Sequence, residues 1–216
     1  MLYLKKLIAV MAISLSTLST MAQSEIRLPE PSHTGGLSIM ESLWARQSSR
    51  EFDTRMLSDT DLSDMLFAAC GINRPETAHI TSPTALNTQE IDVYVFTAKG
   101  VYRYAPQGHK LIPVADGDHR ALIAGTPEFS QDFVMQAPVS LLAVANPQKF
   151  DRMPEMAQMM AIADAGILTE NICLFCAGRS LAAVPRATMD RTGIARLLNL
   201  PAEAIPALNI PVGYPK

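Results

Sequence analysis

The run Arg46-Gln47-Ser48-Ser49-Arg50-Glu51-Phe52 gathers two guanidinium groups and two hydroxyls within five residues, where a helical pattern gives way to a loop. Guanidinium forks match phosphate oxygens bidentately and hydroxyls complete such a set, so this cluster suits anion binding. The competing reading is a solvated helix end, because arginines and serines are mostly exposed. Three more stretches carry polar groups in turn-like settings: SPTALNTQ from Ser82 to Gln89, VPRATMD from Val184 to Asp190, and the closing VGYPK. In the last, the α-carboxylate beside Lys216 partly offsets the attraction of its ammonium for an anion.

Other chemistries are poorly served. Cys173 and Cys176 form CLFC inside a long apolar segment rather than at a helix start, where a dipole would lower a thiol pKa, so they read as small buried residues. Histidines 33, 79, 109 and 119 are scattered without ligand spacing, and no metal site is expected. Asp164 and Asn171, seven apart on one helical face, are expected to find structural hydrogen-bond partners. MPEMAQMM reads as core or interface filler. No Ser-His-Asp or paired-carboxylate constellation is visible, so no side chain is assigned as a catalytic acid, base or nucleophile.

The elements that must position these groups follow from periodicity and caps. Ser38 and Glu41 form a capping box, with Ile39, Met40, Leu43 and Trp44 marking the buried face of a short helix. A second helix begins at Ser58, turns Leu62, Met65, Leu66, Ala69 and Cys70 inward, and stops at Gly71. IDVYVFTAKGVYRYAP reads as two strands of a hairpin, and HKLIPV extends the meander. APVSLLAVA reads as a strand buried on both faces. Pro154 to about Arg179 is a helix apolar nearly all round, which implies a core or subunit interface. SLAAVP reads as an interior strand, Asp190 caps a last helix, and IPALNIPVGYP closes the sheet. Helices and strands alternate in one α+β or α/β domain.

The N-terminus bears on compartment. Lys5 and Lys6 precede an uncharged apolar dozen, LIAVMAISLSTL, and then Thr20-Met21-Ala22. That is the pattern of a secretory signal peptide over 1–22, too short to span a bilayer. Cleavage after Ala22 leaves 194 residues, of which 23–37 read as a flexible lead-in and 38–216 as the folded domain. Losing two lysines takes the formal charge from −3 to −5, against a nucleic-acid partner. No stable membrane insertion is expected after cleavage, and three cysteines cannot build a disulfide framework in a domain this size.

From about Ser38 to Lys216, the order of elements and the four motifs resemble the nitroreductase family of flavin enzymes. The resemblance implies an α/β sandwich, with a mixed, mainly antiparallel central sheet flanked by helices, in an intertwined homodimer with FMN at the subunit interface. In RQSSREF it implies that Arg46 and Ser48 contact the phosphate and ribityl chain, with Gln47 in the same segment and Arg50 at the pyrimidine end of the ring. In SPTALNTQ it points to Pro83, Thr84 and Asn87 at the ring edge and one face. Pro185 and a backbone N–H of Ala187 or Thr188 would lie beneath the ring, the donor facing flavin N5. Those two residues stand where the family commonly has Glu-Gly, and Thr188 in place of Gly would narrow the pocket. The direction of Arg186 stays open. After Gly-Tyr-Pro the family commonly carries several basic residues that clamp the phosphate, and here Lys216 stands alone. GVYRYAPQGHKL is similar to the hairpin of an oxidase branch that converts azolines to azoles. The implied activity is FMN-dependent transfer of hydride from a reduced donor such as NAD(P)H to a nitroaromatic, quinone or similar acceptor. The alternative is an exported flavin-binding or scaffold protein of the same fold with little redox turnover.

Overall fold

The computed structural model describes residues 24–216; the signal-peptide segment, residues 1–22, lies outside them. Seven strands form one sheet: β1 (Ile26–Arg27), β2 (Ile91–Thr97), β3 (Gly100–Ala105), β4 (Lys110–Asp116), β5 (Val139–Ala145), β6 (Ala182–Ala183) and β7 (Ile205–Gly213). Their order is β1-β4-β3-β2-β5-β7-β6, and every pairing is antiparallel. The central sheet flanked by helices is as expected, but where a mixed, mainly antiparallel sheet is expected the described residues pair antiparallel throughout.

Side chains alternate across a strand, and here both faces are covered. Val93 and Val95 of β2, with Leu141 and Ala143 of β5, pack toward α2 (Asp59–Cys70) and α4 (Ala157–Gly178). Tyr94, Phe96, Leu142 and Val144 face α3 (Arg120–Ala124) and α5 (Arg191–Leu197). Burial on both sides explains why β5 is apolar without alternation, and all seven of its residues are buried. The hairpin and the meander form as the sequence indicates. The caps also hold: Ser58 accepts from the Asp61 N–H and Asp190 from the Gly193 N–H. Gly71 ends α2 with φ −68°, so it is not a left-handed stop; a Cβ there would collide with Phe67.

Three expectations change. The first concerns α1 (Ile39–Ala45), whose capping box is present but whose apolar residues face out. Ile39, Met40 and Leu43 are exposed and Trp44 is 87% exposed. The helix instead packs through Ser42 against Gly178 of α4, where a Cβ would come within 2.8 Å of the Ser42 hydroxyl. Periodicity locates an apolar stripe without saying which chain covers it. The second concerns SLAAVP, whose Leu181, Ala182, Ala183 and Val184 are buried but which forms only the two-residue edge strand β6. The third concerns the lead-in, which is docked along the body. β1 pairs with β4, the Ser32 N–H donates to Asp64 at 2.7 Å, and the Leu37 N–H donates to the Gly178 carbonyl at 2.9 Å.

α4 begins three residues after Pro154 and buries one stripe, including Ala161, Ala165, Leu168 and Ile172. Its opposite side leaves Met159, Ile162 and Ile167 exposed. The helix is long and apolar enough to cross a membrane by composition, but its inner face belongs to the core.

Candidate active site

Helical geometry stops at Arg46 (φ −61°, ψ 118°), whose N–H closes the last turn on the Ser42 carbonyl. The chain then runs beside β6 and the C-terminus. The Ser49 N–H donates to the Ala183 carbonyl at 3.0 Å, Phe52 bridges to Pro215, and the Asp53 N–H donates to the Tyr214 carbonyl at 2.9 Å. These contacts shape a cavity of about 250 Å³ lined by Arg46, Gln47, Ser49, Ala183, Pro185 and Pro215, with Cys173 and Cys176 at its base. Three of the four motifs thus converge, and Lys216 directly follows a lining residue. Ser48 and Arg50 are exposed neighbours outside the lining. Ser49 takes the inward place instead; sequence placed it in the right motif without resolving which serine turns in.

Beyond Pro185 the chain doubles against β7. Arg186 and Asn209 exchange two backbone hydrogen bonds of 2.8 Å, and the Asn209 side chain donates to the Thr188 carbonyl at 2.9 Å. Pro185 and Ala187, on either side of Arg186, are exposed. Neither the Ala187 nor the Thr188 N–H donates to a backbone carbonyl among the described residues. This short stretch is a fixed backbone with donors available to a ligand.

Arg186 is neither substrate-facing nor outward. It is 7% exposed and donates to Gln131, Asn209 and the carbonyls of Ile123 and Ala124. Burial, helped by the nearby charge of Arg50, presses its pKa down to about 10, so it remains a cation at neutral pH. Both guanidinium groups lie by Phe133, 5.9 Å from the ring centroid for Arg50 and 5.5 Å for Arg186, and Phe133 stacks on Phe52 at 6.4 Å. No sequence signal linked Phe133 to the motif some eighty positions earlier.

The fourth motif lies elsewhere. Ser82–Gln89 forms a tight turn on α4, with the Ala85 N–H donating to Asp164 at 2.7 Å and the Gln89 N–H to the Thr84 hydroxyl at 3.0 Å. Pro83 and Asn87 are exposed, and none of Pro83, Thr84 and Asn87 lines the cavity. Asp164 and Cys173 are nine residues apart on α4, which at about 1.5 Å of rise per residue separates the two places by roughly 14 Å. Within one chain the Asn87 turn and the Arg46 cavity are two surfaces.

A model of the nitroreductase family matches residues 43–214, and that span contains all of these elements except the extreme termini. The chain belongs to the nitroreductase family. A Methanocaldococcus jannaschii protein assigned as a nitroreductase is 27% identical over 198 residues, covering 88% of this chain and 96% of its own. A crystal structure of a Ralstonia eutropha protein with the same assignment is 35% identical with TM-score 0.81, covering 90% of each chain. The Escherichia coli microcin synthetase complex contains a chain of like fold, 19% identical with TM-score 0.66, covering 97% of this chain and 85% of that one.

Nitroreductase membership implies flavin-dependent oxidoreductase chemistry with small-molecule donors and acceptors. The cavity suits such a group: cationic and hydroxyl donors at one end, proline and alanine walls, and an unengaged backbone beside them. Its cysteines contribute packing. Burial, then the charge of Glu170, pushes the Cys173 thiol up to about 11 despite Arg46, and burial pushes Cys176 well above its ordinary value. Neither is primed as a nucleophile. Asp164 and Asn171 are hydrogen-bonded as expected, Asn171 to the Ala68 carbonyl at 3.1 Å. No cluster of three metal-ligating side chains occurs among the described residues.

Proposed function

We propose that this nitroreductase is an exported, homodimeric FMN-dependent oxidoreductase. FMN, when bound, would supply a ring whose N5 takes hydride from a reduced donor such as NAD(P)H and passes it to a nitroaromatic, quinone or similar acceptor. Supporting this above all is the convergence of Arg46, Gln47, Pro185 and Pro215 on one cavity.

The residues divide the work. Arg46 and Lys216, with the Ser48 and Ser49 hydroxyls, bind the phosphate and ribityl chain, where charge-assisted bonds are roughly twice as strong as neutral ones. Arg50, beside Phe133, stabilises negative charge at the pyrimidine end of the reduced ring. The Ala187 or Thr188 N–H would donate to the ring, and Pro185 would help to wall it. Pro83, Thr84 and Asn87 enter from the second subunit. The outward apolar residues of α1 and α4 are the surface that subunit covers, which reconciles the exposed Trp44 with the roughly 14 Å between the two halves of the site.

Export rests on the segment 1–22, with cleavage leaving Gln23 a few residues before β1. Titration of the purified protein with FMN tests the cofactor assignment: saturable quenching of flavin fluorescence is expected, and its absence in folded protein removes the assignment.

A further inference from the structure

Beneath the Pro83–Asn87 turn lies a buried acid without an ordinary partner. Glu90 is fully buried, and among the described residues no other residue donates a hydrogen bond to either of its carboxyl oxygens. The group facing it is another carboxyl, that of Asp164 on α4, itself 6% exposed. A buried carboxylate with no donor is strongly disfavoured, whereas a protonated carboxyl can donate to the neighbouring acid. Asp164 in turn holds the Ala85 N–H at 2.7 Å. The turn it grips needs holding: Leu86, Asn87 and Gln89 have φ of 57°, 55° and 50°, left-handed values that non-glycine residues adopt at a cost.

We propose that Glu90 is kept as a neutral acid donating to Asp164, and that this carboxyl pair is a positioning device that holds the Pro83–Asn87 turn for ligand binding and releases it when Glu90 ionises. The ligand-binding half rests on the flavin assignment given above; the hold on the turn does not.

The charges around the pair set its direction. Burial, and then the charge of Asp164 and a hydrogen bond with it, raise the Glu90 pKa to about 7, while Glu90's own backbone N–H and, less strongly, Lys149 from the 147–149 turn act the other way. Lys149 is shared with Asp92 of β2, 3.5 Å from its Nζ, and the 83–89 segment has no ionisable side chain. In an opened turn Glu90 would return to its ordinary value near 4.5. The hold is therefore complete below about pH 4.5, weakens as pH rises toward 7, and levels off above that. Each pKa unit is tenfold, so the full loss is on the order of 300-fold.

Hydrogen exchange at the Ala85 amide reads this without any cofactor. In FMN-free protein its protection factor should fall by roughly two orders of magnitude from pH 4.5 to 7.5, and in Glu90→Gln it should stay at the low-pH level throughout. Asp164→Ala should lose protection at every pH. A flat wild-type profile, or a Glu90→Gln profile that falls like wild type, overturns the proposal. If Glu90→Gln does not fold, wild-type protein with ¹³C-labelled glutamate carboxyls supplies the second readout. One buried carboxyl should titrate near pH 7 together with the Ala85 protection, and titration of every glutamate below pH 5 overturns the proposal. FMN affinity should weaken over the same pH range in wild type but not in Glu90→Gln; pH-independent FMN binding overturns the positioning role. Failure of FMN to bind at any pH would instead strike the flavin assignment, leaving the exchange result to judge the pair.

Discussion

Replacing Arg186 by methionine should be among the most damaging single changes in the molecule. The side chain would keep an unbranched apolar stem and lose every donor. Two acceptors would then be stranded in the interior, the Ile123 carbonyl and the Asn209 side-chain oxygen, both on residues 0% exposed, while the Ala124 carbonyl keeps the Gln131 N–H at 3.1 Å. Gln131, only partly buried, can turn to water. A buried acceptor without a donor costs about 1–3 kcal/mol, and relief from burying a charge returns part of the sum. The net loss is roughly 2–4 kcal/mol, or a fall in Tm of roughly 4–16 °C for a chain of this size. Arg186 keeps its charge at neutral pH, so the loss should be the same at pH 6 and pH 8. Urea melts of wild type and Arg186→Met should show a lower midpoint with an unchanged slope. A loss below about 1 kcal/mol would mean that these four hydrogen bonds do not hold the 185–188 segment in place.

If the outer faces of α1 and α4 are covered by a second copy, light scattering should report a dimer at micromolar concentration. Trp44→Asp should shift it toward monomer at little cost to the fold, because Trp44 makes so few contacts in the single chain; a wild-type monomer that binds FMN fully would refute the shared site. Mass spectrometry of protein recovered from the envelope or medium should find Gln23 at the N-terminus, whereas an intact Met1 on cytoplasmic protein would remove the export proposal.

Much of this fold was legible because its signals are local. Ser38-Glu41, Ser58-Asp61 and Asp190 cap helices by bonds within three residues, and the Ile91–Ala105 hairpin carries its own turn. The apolar run of β5 reported burial on both faces for the same reason. What escaped depends on distant partners. The outward turn of α1 follows from how Ser42 fits Gly178 across the sequence, and the edge position of β6 follows from its pairing with β7. The site divides likewise. RQSSREF was recognisable as a donor cluster, but Ser49 rather than Ser48 facing inward depends on the bond to Ala183. The inward course of Arg186, the place of Phe133 beside Arg50, and the Glu90–Asp164 pair come only from the packed structure.

Binding of the FMN phosphate in the Arg46 cavity decides the cofactor assignment most directly. Parallel fluorescence titrations with FMN and riboflavin, on wild type and Arg46→Ala, isolate that one interaction. A charge-assisted bond here is worth about 1.5–3 kcal/mol, toward the modest end because Arg46 is exposed, so FMN should bind Arg46→Ala roughly 10- to 150-fold more weakly. Riboflavin, which lacks the phosphate, should bind both proteins about equally. Equal FMN affinity in the two folded proteins would contradict the account and return RQSSREF to a solvated helix end.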